Sequence, residues 1–181
     1  RVADVAYNTE KICAMIDETA AAGAKIVVFP ELCVTGYTCG DLFTQDVLLT
    51  DARCALHRIA AHTKDKDALV FIGVPVSVGG KLYNVAAALN KGRILGLTTK
   101  TFLPNYGEFY EMRQFCQGPG TAGEILFDGE MIPFGPQLLF VAASMESLVV
   151  SAEICEDVWS AVPPGIEVAL EGAVVIVNCS A

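Results

Sequence analysis

Between Ala68 and Lys100, three apolar runs follow one another with almost nothing between them: ALVFIGVPVSV, KLYNVAAALN and RILGLTTK. Gly79-Gly80 joins the first two, and Asn90 to Gly92 turns into the third. A glycine pair reaches φ > 0 without steric cost and marks a tight hairpin. The spacing therefore predicts an antiparallel meander of three strands, the last ending at Lys100, and the rest of the fold must be built around it.

Flanking segments switch period. Asn8 reads as the N-cap of a helix to about Ala22, with Ile12, Met15, Ile16 and Thr19 on its inner face. Gly23 ends it, and KIVVF follows as a short buried strand. A second helix is expected over roughly Asp51 to Lys64, strands near 125–140 and 147–154, a helix near 164–171 and a closing strand AVVIVNCS. Residues 101–124 carry Pro, Gly and aromatics without period, the mark of a long loop. Helices alternating with strands and hairpins predict an α/β (or α+β) sandwich with mixed sheets. The chain opens almost directly into a helix and closes on a buried strand, so it reads as a domain truncated at both ends.

Composition narrows the function classes. Hydrophobic residues make up 53% of the 181 and charged ones 18%, which predicts one compact domain within a larger assembly, a homo-oligomer. Twelve basic against twenty-one acidic residues give a net charge of -9 without a Lys/Arg cluster, which argues against nucleic acid or an anionic membrane as partner. No apolar stretch approaches the roughly 18 residues a membrane span needs, and the first residues lack a signal-peptide core. Seven scattered cysteines without CxxC spacing suit reduced thiols in a cytoplasmic protein. His57 and His62, five apart, do not match a zinc helix, and no metal site is expected.

Three reactive side chains stand at strand ends. Glu31 follows KIVVFP, Lys100 ends RILGLTTK, and Cys155 follows the apolar run Leu148–Ile154 in ICEDVW. In open α/β sheets the crevice beyond the strand ends is where ligands bind. A thiol with an ordinary pKa of about 8.5 needs a base or a positive field before it attacks a carbonyl. Glu31 can take its proton and Lys100 can oppose the charge on the tetrahedral oxygen, the three converging within about 3–5 Å. Backbone N–H groups of a helical turn after Cys155 would add oxyanion donors. On position alone, each has a plainer reading: Cys155 a small buried hydrophobe, Glu31 a turn cap, Lys100 a solvated strand-end lysine.

FPELCVTGY, KTFLPNYGEF and ICEDVW resemble, in order and approximate spacing, the Glu, Lys and Cys motifs of the nitrilase (carbon–nitrogen hydrolase) superfamily. TGYTCGDLF, LPNYGEFYEMRQF and CEDVW further resemble the glutaminase domains of glutamine-dependent NAD synthetases. This resemblance implies a nitrilase-like αββα sandwich and hydrolysis of L-glutamine through a thioester on Cys155. Glu31 would be the general base and Lys100 the oxyanion partner. It implies Glu108 as the carboxylate orienting Lys100, with Tyr106, Phe109 and Glu156 holding the glutamine. Glu111 is expected to pair locally with Arg113, and Asp157 and Trp159 to hold the turn after Cys155. Cys33, Cys39, Cys116 and Cys179 are expected to be structural. No cofactor is implied for residues 1–181. ATP and Mg belong to the C-terminal synthetase domain that the resemblance implies as partner and that this chain lacks, as it lacks the serine-bearing segment after NCSA. A stand-alone amidase or carbamoylase of the same superfamily is the second reading, and a silent assembly module the third.

Overall fold

Every apolar run from Ala68 to Lys100 becomes a strand in the computed structural model, which describes residues 1–181. In chain order the first elements are α1 (Val5–Ala21), β1 (Ile26–Val28), α2 (Asp46–His62), β2 (Leu69–Val78), β3 (Lys81–Asn90) and β4 (Arg93–Thr99). Then come α3 (Glu111–Gln114), β5 (Gly123–Phe127), β6 (Glu130–Gly135), β7 (Phe140–Ala142), β8 (Met145–Ile154), α4 (Pro164–Leu170) and β9 (Val175–Cys179). Six strands form one sheet in the order β1-β2-β3-β4-β6-β5, and three form a second, β7-β8-β9. The meander β2-β3-β4 is antiparallel throughout, whereas β1 joins β2, β6 joins β4 and β9 joins β8 in parallel, so both sheets are mixed.

Period-2 alternation along the central strands places the layers. Val70, Ile72, Val74 and Val76 of β2 and Val85, Ala87 and Leu89 of β3 pack in the larger core with Ile12, Ile16, Leu56 and Ile59 of the two long helices. The intervening residues Phe71, Ala86 and Ala88 face the second sheet and pack on Val150, Ala152, Ile154 and Val177. With α4 covering β8, the layers read helix, sheet, sheet, helix, the αββα sandwich that the motifs implied. Phe71 is fully buried where the sheets meet and edge-on to Phe140, a burial worth about 2–3 kcal/mol.

Several local expectations move. Helix α1 starts at Val5 because Asp4 Oδ1 accepts the Tyr7 N–H at 3.2 Å, and Asp4, not Asn8, is the cap. Asn8 instead lies buried in the first turn and donates to the Val34 carbonyl at 3.0 Å, tying the helix to the segment after Glu31. Met15 is 52% exposed, off the inner face on which Ile12 and Ile16 sit. Helix α2 begins five residues earlier than expected, at Asp46. The region near 125–140 divides into β5, β6 and β7, the first two joined through Asp128-Gly129, both at positive φ.

Candidate active site

Glu31, Lys100 and Cys155 each follow the end of a different strand, β1, β4 and β8. Lys100 and Glu31 meet at 2.7 Å, and the charges of both reach the Cys155 thiol. The Phe29 N–H still pairs with the Phe71 carbonyl at 2.9 Å, after which Pro30 and Glu31 leave the sheet in a tight turn. The turn is possible because it crosses β2 at Gly73. A Cβ there would lie 2.3 Å from both the Pro30 carbonyl oxygen and the Leu32 nitrogen. Lys100 stays in register with β3 through its N–H on the Asn84 carbonyl at 2.9 Å. Cys155 opens a 3₁₀ turn, Cys155–Trp159, at φ 43, a left-handed conformation that costs a non-glycine residue about 1–3 kcal/mol.

These polar groups are almost completely withdrawn from water: Lys100 is 1% exposed, Glu31 2% and Glu111 4%. Lys100 Nζ donates to Glu31 Oε1 at 2.7 Å and to Glu111 Oε1 at 2.6 Å. Asn84 Nδ2 donates to Glu31 Oε1 at 2.6 Å, and Tyr37 Oη donates to Glu111 Oε1 at 2.7 Å. One ammonium thus bridges two carboxylates, and on each the oxygen that meets Lys100 also accepts from a neutral donor, while the second oxygen is buried with no partner. Burial pulls the Lys100 pKa down, but the Glu31 and Glu111 charges outweigh it, and the net shift is upward. Lys100 is therefore a fixed cation at neutral pH.

Glu31 moves the other way from an ordinary ion-paired carboxylate. Burial raises its pKa, and the Lys100 charge and the Asn84 hydrogen bond only partly oppose that. The Cys155 thiol is also raised, first by burial and then by the Glu31 charge, while Ser180 and Lys100 pull it down. Both neighbours expected of the thiol therefore act on it. At rest the sulfur keeps its proton beside a carboxylate of elevated basicity, the arrangement for base-assisted attack. Because Asn84 holds the Glu31 pKa down, Asn84→Ala is expected to move the acid limb of the pH–rate profile (kcat/KM against pH) upward. An unmoved limb would mean that Glu31 does not set it.

The carboxylate beside Lys100 is Glu111, not Glu108. Glu108 is exposed in the loop, whereas Glu111 begins α3 with its N–H on the Pro104 carbonyl at 3.2 Å, which turns its side chain inward. Nor does Glu111 pair with Arg113. Residues two apart on a helix point to different sides, and Arg113 reaches Asp41 at 3.1 and 3.2 Å. No sequence motif points to Tyr37, Asn84 or Asn178, and the one local sign is that Asn84 and Asn178 are each an amide within a largely apolar strand. Asn178 Oδ1 accepts the Cys155 N–H at 3.0 Å, so that amide is not free to serve as an oxyanion donor.

Tyr106 and Glu156 meet at the rim, where Tyr106 Oη lies 3.0 and 2.9 Å from the two carboxylate oxygens. Phe109 is edge-on to both Tyr106 and Tyr37, at centroid distances of 5.8 and 6.4 Å. Asp157 is 1% exposed and accepts backbone N–H groups from Ile154, Thr101 and Phe102. Burial pushes its carboxyl up to about 6 despite those three donors and the Lys100 charge. Trp159, in the same turn, is 79% exposed.

All seven cysteines are free. Cys33 and Cys179 are held as neutral thiols: burial pushes that of Cys33, which donates to the Gly73 carbonyl, up to about 12, and raises that of Cys179 as well. A separate cleft of about 330 Å³ between α2 and β2 contains none of the site residues, and its one cation, Arg53, is paired with Asp128 at 3.2 Å. No helix is long and apolar enough to cross a membrane.

Known proteins share both the sequence and the architecture. The chain is 37% identical over 179 residues to the glutamine-dependent NAD(+) synthetase of Mycobacterium tuberculosis H37Rv, covering 99% of this chain and 26% of that protein. The crystal structure of a glutamine-dependent NAD(+) synthetase from Cytophaga hutchinsonii superimposes with a TM-score of 0.86 at 31% identity, over 100% of this chain and 29% of the other. An amidase of the nitrilase superfamily from Nesterenkonia superimposes at 0.69 over 99% of this chain and 61% of its own, and at 20% identity it shares the fold. The chain thus spans about a quarter of the length of the curated synthetases it matches. The carbon–nitrogen hydrolase family matches residues 1–181 from end to end, and the chain belongs to that family.

Proposed function

We propose that this region hydrolyses the side-chain amide of L-glutamine through a thioester on Cys155 and supplies ammonia to an ATP- and Mg-dependent synthesis of NAD elsewhere in the parent protein. The observation that carries the chemistry is the buried Glu31–Lys100–Glu111 array, 2.7 and 2.6 Å apart, beside a half-buried thiol. A lysine held between two carboxylates in the core adds little to stability relative to apolar packing, and a reaction that develops negative charge gives it a use. Cys155 Sγ attacks the amide carbon while Glu31 takes the thiol proton. Lys100 opposes the charge on the oxygen. Collapse of the tetrahedral adduct breaks the C–N bond, the Glu31 proton leaves with ammonia, and a water activated by Glu31 hydrolyses the thioester to glutamate.

Glutamine is favoured over simpler amides by the rim. Glu156 directly follows the nucleophile and its carboxylate is held by a single neutral donor, Tyr106. An α-ammonium is the group that would replace that phenol. The likeness to glutamine-dependent synthetases supports the same substrate and a synthetase domain as partner. Glu156→Gln is expected to raise the KM for glutamine by about 100-fold or more, because a site that pairs a charge discriminates strongly. Cys155 should still react with iodoacetamide at the wild-type rate. Hydrolysis of simple aliphatic amides as fast as glutamine by the wild-type full-length protein would replace this reading with that of a general amidase.

A further inference from the structure

The two groups that must act together, Lys100 and Cys155, end strands of different sheets. β4 belongs to the six-stranded sheet and β8 to the three-stranded one, and no backbone ladder joins them. Apolar packing between the layers fixes their mean spacing but tolerates sliding, since dispersion and burial are not directional. Directional bonds are needed to hold an attacking sulfur and an oxyanion partner to within a fraction of an ångström.

We infer that Asp157 is the positioning residue that bridges the two sheets at the reacting centre and sets the Lys100–Cys155 separation. One of its oxygens, Oδ1, accepts the N–H groups of Thr101 at 3.0 Å and Phe102 at 2.7 Å, the two residues that follow Lys100. The other, Oδ2, accepts the Ile154 N–H at 3.1 Å, from the residue that precedes Cys155. A single buried carboxylate therefore grips the chain on the far side of both reacting residues. The same bond to Ile154 closes the 3₁₀ turn that holds Cys155 at φ 43. A carboxylate offers an acceptor oxygen to each side of this bridge, whereas an amide offers only one. Asp157 touches no reacting atom; it acts through the backbone at either end of the pair.

This inference rests on the amide-hydrolysis reading, and its test has an arm independent of any amide substrate. Asp157→Asn keeps the volume but turns one acceptor oxygen into a donor that faces an N–H, so one side of the bridge is lost. In the full-length protein, kcat for glutamine is expected to fall about 10- to 100-fold with KM within about 3-fold, the scale of a misplacement near 1 Å. The pH midpoint for alkylation of Cys155 by iodoacetamide, followed by mass spectrometry of its peptide, is expected to rise because Lys100 no longer sits close to the sulfur. An unchanged kcat, or losses in kcat, KM and thermal stability together with the alkylation midpoint in place, would overturn the inference. If the variant does not fold, hydrogen exchange of the wild-type protein decides. Thr101, Phe102 and Ile154 amides protected together by about 100-fold or more support the bridge, and exchange of Thr101 and Phe102 at open-loop rates excludes it. Should wild type turn over no glutamine, the glutaminase reading fails while the alkylation and exchange results still score the bridge.

Discussion

Replacing Cys155 with alanine in the full-length protein is expected to lower glutamine-supported NAD formation by at least about 10⁴-fold, the scale of losing a nucleophile that works with its base as a unit. NAD formation from added ammonia should stay within about 2-fold of wild type, because that reaction bypasses the thioester. The split is the informative part. Cys155 starts the turn that Asp157 closes and its N–H bonds Asn178, so a structural role would show as damage to both activities. Alanine removes only the sulfur and leaves those backbone bonds in place. Equal loss of both activities would remove Cys155 from the chemistry, and retention of both would remove glutamine hydrolysis from this site.

The features that could be read from the sequence are those written in short-range signals. The meander came from apolar runs and glycine-bearing turns, and its three strands lie within a residue of the expected ends. Strand-end placement singled out Glu31, Lys100 and Cys155, and the structure brings Glu31 within 2.7 Å of Lys100. Misreadings arose where long-range contacts decide. Asn8 looks like a cap in one dimension, yet it bonds Val34 across 26 residues. Glu111 beside Arg113 invites a local ion pair, and only the turn of α3 shows that the two side chains diverge. Tyr37 is 74 residues from Glu111, and nothing in its neighbourhood announces the bond between them. Asp157 could be assigned to the turn from its place after Cys155, but its grip on Thr101 and Phe102 depends on how two sheets stack.

Lys100→Met is expected to lower glutamine turnover by about 100- to 1,000-fold, the usual consequence of losing one donor to a developing oxyanion. It also removes the only cation between Glu31 and Glu111, both buried. Breaking a buried pair in this way costs about 3–5 kcal/mol, so lost activity by itself would not separate chemistry from folding. The separation comes from Lys100→Met combined with Glu111→Gln. Glu111 keeps its shape as glutamine and can still accept from Tyr37, while the repulsion between two uncompensated carboxylates is gone. Thermal stability is therefore expected to recover in part, and glutamine turnover to remain at the single-variant level. Turnover that recovers in step with stability would mean that Lys100 serves only the fold, and the oxyanion would then need another partner. The geometry argues against that outcome. Lys100 holds its charge within 2.7 Å of Glu31, and the backbone N–H groups of Ile154 and Cys155 are already given to Asp157 and Asn178.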